Sequence, residues 1–465
     1  MNPASDVVVI GAGISGLASA WWLQSGGHKV TIIEADSRPG GTIGTVRDSG
    51  YLVEAGPNST LETSPLIAQL LEQTGTIAQR IYANPAANNR FILRGGMLLP
   101  LPLSPPAFFK TRLFSAGAKL GLLREPFVRR SSPGVEETVA QFVRRRLGVE
   151  FLDYAINPFV AGVYAGDPEC LSVRAAFPRL FEIEQQYGSL IRGQIMGAKE
   201  RKRSQETPKQ SAPMLSFAEG MQTLTDGVAA RMEDLRLDTR ATGMSRGDAG
   251  WEVTAAGPRG PLTLHAKTVV LATPTNAAAQ LMRTHAPCAS DALDAIPYPP
   301  VASVASAYAR ADLAHALDGF GFLVPKKERR QILGTIFSST LFGNRAPDGM
   351  VLLTTFVGGM RQPELAERDE AALASLVQEE LVSLLGVRAA PQRTWVKRWK
   401  RAIPQYTLGH LARIAAVDEA ERALPGLYLC ANYRGGISVA DCIKSSRTVS
   451  DRVAQYLGRP DPARR

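Results

Sequence analysis

Cysteine is scarce in this chain: four in 465 residues, Cys170, Cys288, Cys430 and Cys442. They lie far apart and form no Cys-x-x-Cys unit, which argues against a disulfide framework and for reduced thiols in a cytoplasmic protein. Histidine is equally sparse, five residues with no metal-ligand spacing, so no metal is expected. No apolar run approaches the ~20 residues of a membrane-spanning helix. The first apolar stretch begins at Val7 without a basic start, so no signal peptide is expected and any membrane contact would be peripheral. Zinc-finger spacing and RNA-binding aromatic signatures are missing, which removes nucleic acid as the reason for a net charge of +10. Part of that charge sits at Arg144–Arg146 and Lys199–Arg203. Both a solvated face and attraction to an anionic membrane remain open for these clusters.

What is present fits a globular protein of several domains: 45% hydrophobic and 21% charged residues, with 42 glycines and 31 prolines spread along the chain. The most informative stretch comes first. Val7-Val8-Val9-Ile10 reads as a buried strand, runs into Gly11-Ala12-Gly13-Ile14-Ser15-Gly16, and is followed by a helical pattern that Gly26-Gly27 closes. A second strand, Lys29 to Ile33, ends at Glu34. In such a unit Gly11 permits the tight turn, Gly13 lets backbone approach a pyrophosphate, and Gly16 lets helix and strand pack closely. The phosphates would lie at the positive helix amino end. Glu34, eighteen residues after Gly16, is placed to accept hydrogen bonds from ribose hydroxyls. Together these features predict a dinucleotide site.

The next run, Glu34-Ala35-Asp36-Ser37-Arg38-Pro39-Gly40-Gly41-Thr42, resembles the flavin amine oxidase superfamily, as does Gly56-Pro57-Asn58-Ser59 further on. The resemblance implies FAD as cofactor. It implies that Gly40 and Gly41 approach it by their backbone, with Ala35 and Thr42 beside them. It also implies that Arg38 borders the phosphates and that residues 56–59 form a second flavin loop. Ala12, Ile14 and Ser15 join the cofactor residues through the first turn, Ala241 by the adenine, and Ile437, Ser438 and Val439 at the start of the last helix.

The rest of the chain predicts an α/β protein: a Rossmann-like FAD-binding domain, a mixed-sheet substrate domain and a helical, membrane-facing subdomain. The FAD-binding domain is expected over 1–94, 214–290 and 409–465, the helical part over 95–213 and the substrate domain over 291–408. Asn89 to Leu93 with Gly95-Gly96 reads as a hairpin. Residues 107–198 read as helices with apolar and basic faces, which fits either a membrane interface or a subdomain core. Residues 199–213 read as an exposed loop. The strand at Leu427 to Cys430, then Gly435-Gly436 and a helix, would return the chain to the first sheet.

Five stretches narrow the resemblance: Gly162 to Asp167, Phe177-Pro178, Gly319 to Pro325, Ile403 to His410 and Asp441 to Ile443. In this order they resemble the oxygen-dependent protoporphyrinogen oxidase family along nearly the whole chain. The resemblance implies oxidation of protoporphyrinogen IX to protoporphyrin IX in haem biosynthesis, with oxygen as acceptor and hydrogen peroxide as product. The flavin would carry the redox chemistry, which fits the lack of any conspicuous nucleophile–base pair. By the same resemblance Phe320 and Leu323 pack on the macrocycle, Gly162 brings backbone near it, and Ile336 and Phe356 wall the pocket. From pattern alone Phe320 and Leu323 read as sheet core, and His410 reads as structural, near a helix start. The resemblance also implies an arginine for a substrate propionate after the Leu-Pro turn, but Met97 to Pro102 contains none, while Arg94 and Lys110 are near. Coproporphyrinogen III therefore stays open as substrate, as do a non-catalytic flavin or porphyrin carrier and a homodimer.

Overall fold

The computed structural model describes residues 5–132, 134–196, 207, 211–247 and 250–458. Most of the expected 199–213 loop lies outside the described residues. In chain order the strands of the two large sheets are β1 (Ser5–Ile10), β2 (Val30–Ile33), β3 (Asn89–Arg94), β4 (Met97–Pro100), β5 (Leu235–Arg236), β6 (Arg240–Gly247), β7 (Gly250–Gly257), β8 (Gly260–Leu271), β9 (Val301–Ala309), β10 (Gly319–Leu323), β11 (Gly334–Phe337), β12 (Met350–Gly358), β13 (Arg393–Trp399) and β14 (Leu427–Leu429).

The first sheet runs β5-β2-β1-β8-β7-β6, with β14 also on β8. β5, β2, β1, β8 and β14 are parallel, and β7 and β6 turn back antiparallel. Val7, Val8 and Val9 are fully buried. That is what a central parallel strand covered on both faces requires, and it explains the unbroken apolar run. On one face pack α1 (Ile14–Ser25) and the C-terminal helix, joined by the Trp22 indole donating to the Ser446 hydroxyl at 3.2 Å. The second face is covered by a separate cluster that includes Trp251, Leu293 and Tyr433. The chain's two ends thus meet in one sheet, as the strand at Leu427 predicted.

The second sheet is mixed, in the order β13-β9-β12-β11-β10-β3-β4, with β10 and β3 as its parallel pair. The hairpin expected at Asn89 is there, but it belongs to this sheet rather than to the first. Sequence alone grouped residues 89–94 with the first domain because they precede the helical stretch. The partner that claims them, β10, lies more than 200 residues later. One face of this sheet is closed by the helix Glu370–Leu385, with Phe337, Leu353, Leu373 and Leu381 in a common core.

Between Pro105 and Met196 lies a string of short helices over their own core of Phe142, Phe151, Tyr164 and Leu171. Here the charges of the Arg144–Arg146 cluster are matched by carboxylates. Arg144 pairs with Glu169, and Arg145 bridges Glu137 and Glu184. Arg146 is fully buried between Glu125 and Glu184 at 3.0 and 2.6 Å. Buried charges persist only when paired and hydrogen-bonded in this way.

Candidate active site

The Gly11–Gly16 turn joins β1 to α1. Gly11 has φ +104°, and a Cβ there would lie 2.7 Å from the Ala272 carbonyl oxygen. A Cβ on Gly16 would lie 1.9 Å from the Gly11 oxygen, whereas at Gly13 nothing stands within 4 Å. Two of the glycines therefore serve the protein's own packing, and Gly13 faces open space. Ile14, Ser15 and Gly16 are buried, yet no side chain caps the helix at Gly13. A buried, uncapped helix start with aligned N–H groups is a place for an anion.

Around this cradle most of the other residues expected at the cofactor come together, largely through backbone contacts. The Ala12 N–H donates to Glu34 Oε2 at 2.6 Å, and the Asp36 N–H, beyond Ala35, donates to Oε1 at 2.9 Å. Each carboxylate oxygen keeps a further lone pair for a hydroxyl donor. Gly40 N–H donates to the Ala12 carbonyl at 2.8 Å, and a Cβ on Gly41 would sit 3.4 Å from Gly13 Cα. Arg38 is turned inward: its guanidinium donates to the carbonyls of Pro39, Gly41 and Ile43 at 2.8–3.0 Å. It thus braces the Gly40–Gly41 turn. The Thr42 carbonyl lies 2.0 Å from where a Gly56 Cβ would be, so the loop of Gly56, Pro57, Asn58 and Ser59 begins directly against the first. Asn58 donates to the Gly56 carbonyl at 3.2 Å. Thr239 N–H donates to the Glu34 carbonyl at 2.7 Å, which brings Ala241, two residues on, to the same rim. Ser438 caps the last helix by accepting the Asp441 N–H at 3.1 Å, just after Ile437. Val439 opens that helix. The open cradle at Gly13, the uncapped helix start and the carboxylate at Glu34 together fit an adenine dinucleotide.

The second sheet supplies the other half. Register pairs Gly334 with Phe356 and Ile336 with Thr354, which places these four on one face. Phe337, Leu353 and Val357 lie on the opposite face, in the core under the helix Glu370–Leu385. Apart from Met350, Phe356 is the one residue of β12 that is not buried. Phe320, Leu323 and Ile336 are likewise half-buried, so none is the plain core residue that pattern alone suggested. Leu323 Cδ2 stands 2.4 Å from where a Gly162 Cβ would be, so the leucine packs directly on the glycine and any larger residue there would displace its side chain. Phe320 and Ile336 pack together beside Phe342, and Phe356 packs beside Ala161 and Ala165. Ile437 of the cofactor rim and Leu323 of the sheet both rest on the cluster that contains Tyr164 and Tyr406. There the two halves meet.

Sequence reading missed three groups. Arg90 is paired with Gly321 in register, and its guanidinium lies 5.8 Å from the centre of the Phe320 ring. Among the described residues it has no ion-pair partner. Arg94 is engaged by Glu150 at 2.5 Å and by the Leu113 carbonyl. The signal was strand alternation: Phe91 and Leu93 enter the core under the helix, so Arg90, Ile92 and Arg94 face the other way. The second group is a buried pair, Arg345 with Glu54 at 3.2 Å, and Glu54 also accepts from the Met221 N–H at 2.9 Å. Burial pushes the Glu54 carboxyl up, against the pull of Arg345. The third is Tyr406, whose hydroxyl bonds the backbone of the turn before the last helix.

Comparison with known proteins agrees with this geometry. The flavin containing amine oxidoreductase family matches residues 14–454. The chloroplastic protoporphyrinogen oxidase of Nicotiana tabacum is 35% identical, over 98% of this chain and 86% of its own length. The coproporphyrinogen III oxidase of Bacillus subtilis is 28% identical over 97% and 98%. A crystal structure of an Exiguobacterium sp. 255-15 protein superimposes with a TM-score of 0.82 at 26% identity, covering 98% of this chain and 100% of that one. The chain belongs, with the protoporphyrinogen oxidases, to the flavin containing amine oxidoreductase family, and is an FAD-dependent oxidoreductase.

Proposed function

We propose that this enzyme oxidises protoporphyrinogen IX to protoporphyrin IX, with molecular oxygen as acceptor and hydrogen peroxide as product. The observation that carries the reading is the half-buried apolar face of Phe320, Leu323, Ile336 and Phe356, edged by the unpaired guanidinium of Arg90. A flat apolar macrocycle with carboxylates on its rim matches that combination. Bound FAD would supply the oxidation, six electrons in three two-electron steps with three molecules of oxygen reduced to hydrogen peroxide, and the protein's task is to hold the macrocycle against it and keep water away. Leu323 over Gly162 fixes one side of the macrocycle and Phe356 another. Arg90 takes a propionate.

The relatives divide between proto- and coproporphyrinogen oxidases in name. With Arg94 held by Glu150, Arg90 is, among the described residues, the cation beside Phe320 without an ion pair, which favours the substrate with two propionates over the one with four. A paired assay decides. The holoenzyme should consume oxygen and form fluorescent porphyrin from protoporphyrinogen IX. Turnover of coproporphyrinogen III alone would reverse the assignment, and a yellow protein without oxygen uptake would make it a carrier.

The same reading places the enzyme on a membrane surface. Leu103, Phe109, Leu120, Leu123 and Phe127 are 65–83% exposed in one helical segment, interleaved with the exposed cations Lys110, Arg112 and Arg124. Among the described residues no helix is long and apolar enough to cross a membrane. Anionic liposomes should float the protein at low salt, and protein left at the bottom of the gradient would refute this contact.

A further inference from the structure

The Ile403–His410 run takes hold of the connection between β14 and the last helix, Val439–Tyr456. The Tyr406 hydroxyl donates to the Asn432 carbonyl at 2.7 Å and accepts the Gly436 N–H at 3.1 Å. One oxygen thus closes the whole turn. The His410 ring stacks on Tyr406, with centroids 4.1 Å apart and planes 13° from parallel. Its Nε2 lies 3.0 Å from the Tyr433 carbonyl. A carbonyl can only accept, so Nε2 carries the proton, and burial keeps the ring neutral by pushing its pKa down to about 4. From outside, Arg434 is held by Asp418 at 2.5 Å and Glu421 at 2.7 Å. Residues 432, 433, 434 and 436 are therefore each tied to the segment 406–421. Gly436 has φ +121°, and a Cβ there would come 2.6 Å from the Asp441 carboxylate. The turn has little freedom of its own, and Ile437–Val439 of the cofactor rim follow it directly.

We propose that Tyr406 and His410 are positioning residues for the flavin: through the Asn432–Gly436 turn they set where the backbone of Ile437–Val439 meets it. This needs only the FAD site and holds whatever the flavin oxidises. The Tyr406 hydroxyl and His410 Nε2 are both taken up by backbone, and His410 Nδ1, which has no hydrogen-bond partner among the described residues, is buried.

Tyr406→Phe keeps the ring and its stack and removes only the hydroxyl. FAD should then dissociate about tenfold more readily, the effect of one lost buried hydrogen-bond hub. The visible absorption bands of the remaining holoprotein should shift. Tyr164→Phe removes a hydroxyl that donates to the Ala176 carbonyl at 2.9 Å in the same aromatic cluster. It should lower the melting temperature and leave FAD affinity and bands unchanged. If Tyr406→Phe also leaves both unchanged, the hydroxyl only stabilises the fold and the inference is wrong. Should that variant fail to fold, a His410 pair decides: His410→Gln can still donate to Tyr433 and keeps the bands, whereas His410→Phe shifts them. Identical spectra from those two would overturn it as well.

Discussion

The first sheet presents its ligand with backbone, at the carboxyl ends of buried parallel strands. The second presents a row of side chains from the middle of a largely antiparallel sheet. In the first, Val7–Val9 have no exposure and the contact surface is the turn after them, where glycines decide how close a ligand can come. In the second, single half-buried residues stand among buried neighbours, Phe320 and Leu323 on β10, Ile336 on β11 and Phe356 on β12, and in the proposed function these meet the substrate. The difference teaches what each half tolerates. Backbone sites fail when atoms are added, and side-chain sites fail when atoms are removed.

Additions to the first turn test this most severely. Gly16→Val places atoms where a Cβ already lies 1.9 Å from the Gly11 oxygen, and should cost ~3 kcal/mol or more of protein stability. Gly13→Val meets no protein atom within 4 Å. Its apo melting temperature should match wild type while FAD affinity falls about 100-fold, or ~3 kcal/mol. Full FAD occupancy in purified Gly13→Val would sink the reading of that turn.

Deletions from the second sheet come next. Phe337 is fully buried on the face under the helix Glu370–Leu385, so Phe337→Ala should cost ~3–5 kcal/mol in urea unfolding. Phe356 lies one sheet face away and is half-buried. Phe356→Ala should cost only ~1–2 kcal/mol but raise KM for the porphyrinogen. Equal losses of stability from the two variants would erase the distinction between the faces.

The same contrast explains what could be read before the fold was known. The first turn was legible because Gly11, Gly13, Gly16 and Glu34 stand within one strand-turn-helix-strand unit, and backbone geometry dictates glycine there. The α/β class and the return of the chain at Leu427 were legible from apolar runs and turns. Phe320, Ile336 and Phe356 were not distinguishable from core by type, since the choice depends on register with strands far away in sequence. They entered only by resemblance. Residues 89–94 were grouped with the wrong sheet for the same reason. Arg90 lies before the Leu-Pro turn where the resemblance implies an arginine, although alternation in Arg90-Phe91-Ile92-Leu93-Arg94 already puts it opposite the core.

His410 sits where the segments of the two sheets adjoin and gives the comparison a pH dependence. Its folded pKa, about 4, lies below the ordinary 6.5 because burial disfavours the imidazolium. Below pH 6.5 the unfolded chain takes up a proton that the folded chain refuses, so stability falls as pH drops from 6.5 towards 4. The full span is ~3 kcal/mol. Urea midpoints for wild type should decline across that window, and His410→Gln should flatten this part of the slope. Parallel slopes would show that other groups control it.

The smallest expected effect separates two arginines on one strand. Arg90 and Arg94 lie on the same face of β3, four residues apart, and differ in what they hold. Arg94 is tied to Glu150 at 2.5 Å and stands over the Tyr154 ring, so it ties the sheet to the short helices. Among the described residues Arg90 has no ion-pair partner and lies by the Phe320 ring, which keeps its charge available at the edge of the apolar face. Arg90→Ala should raise KM for the porphyrinogen about tenfold, the ~1.4 kcal/mol expected of one partly solvated charge contact, and leave stability unchanged. Arg94→Ala should do the reverse, lowering the melting temperature because Glu150 loses its ion partner while KM stays put. A dimethyl ester of the substrate carries the test further. Without carboxylates it should bind wild type and Arg90→Ala equally, and a remaining difference would mean that Arg90 shapes the pocket through Phe320 rather than by charge.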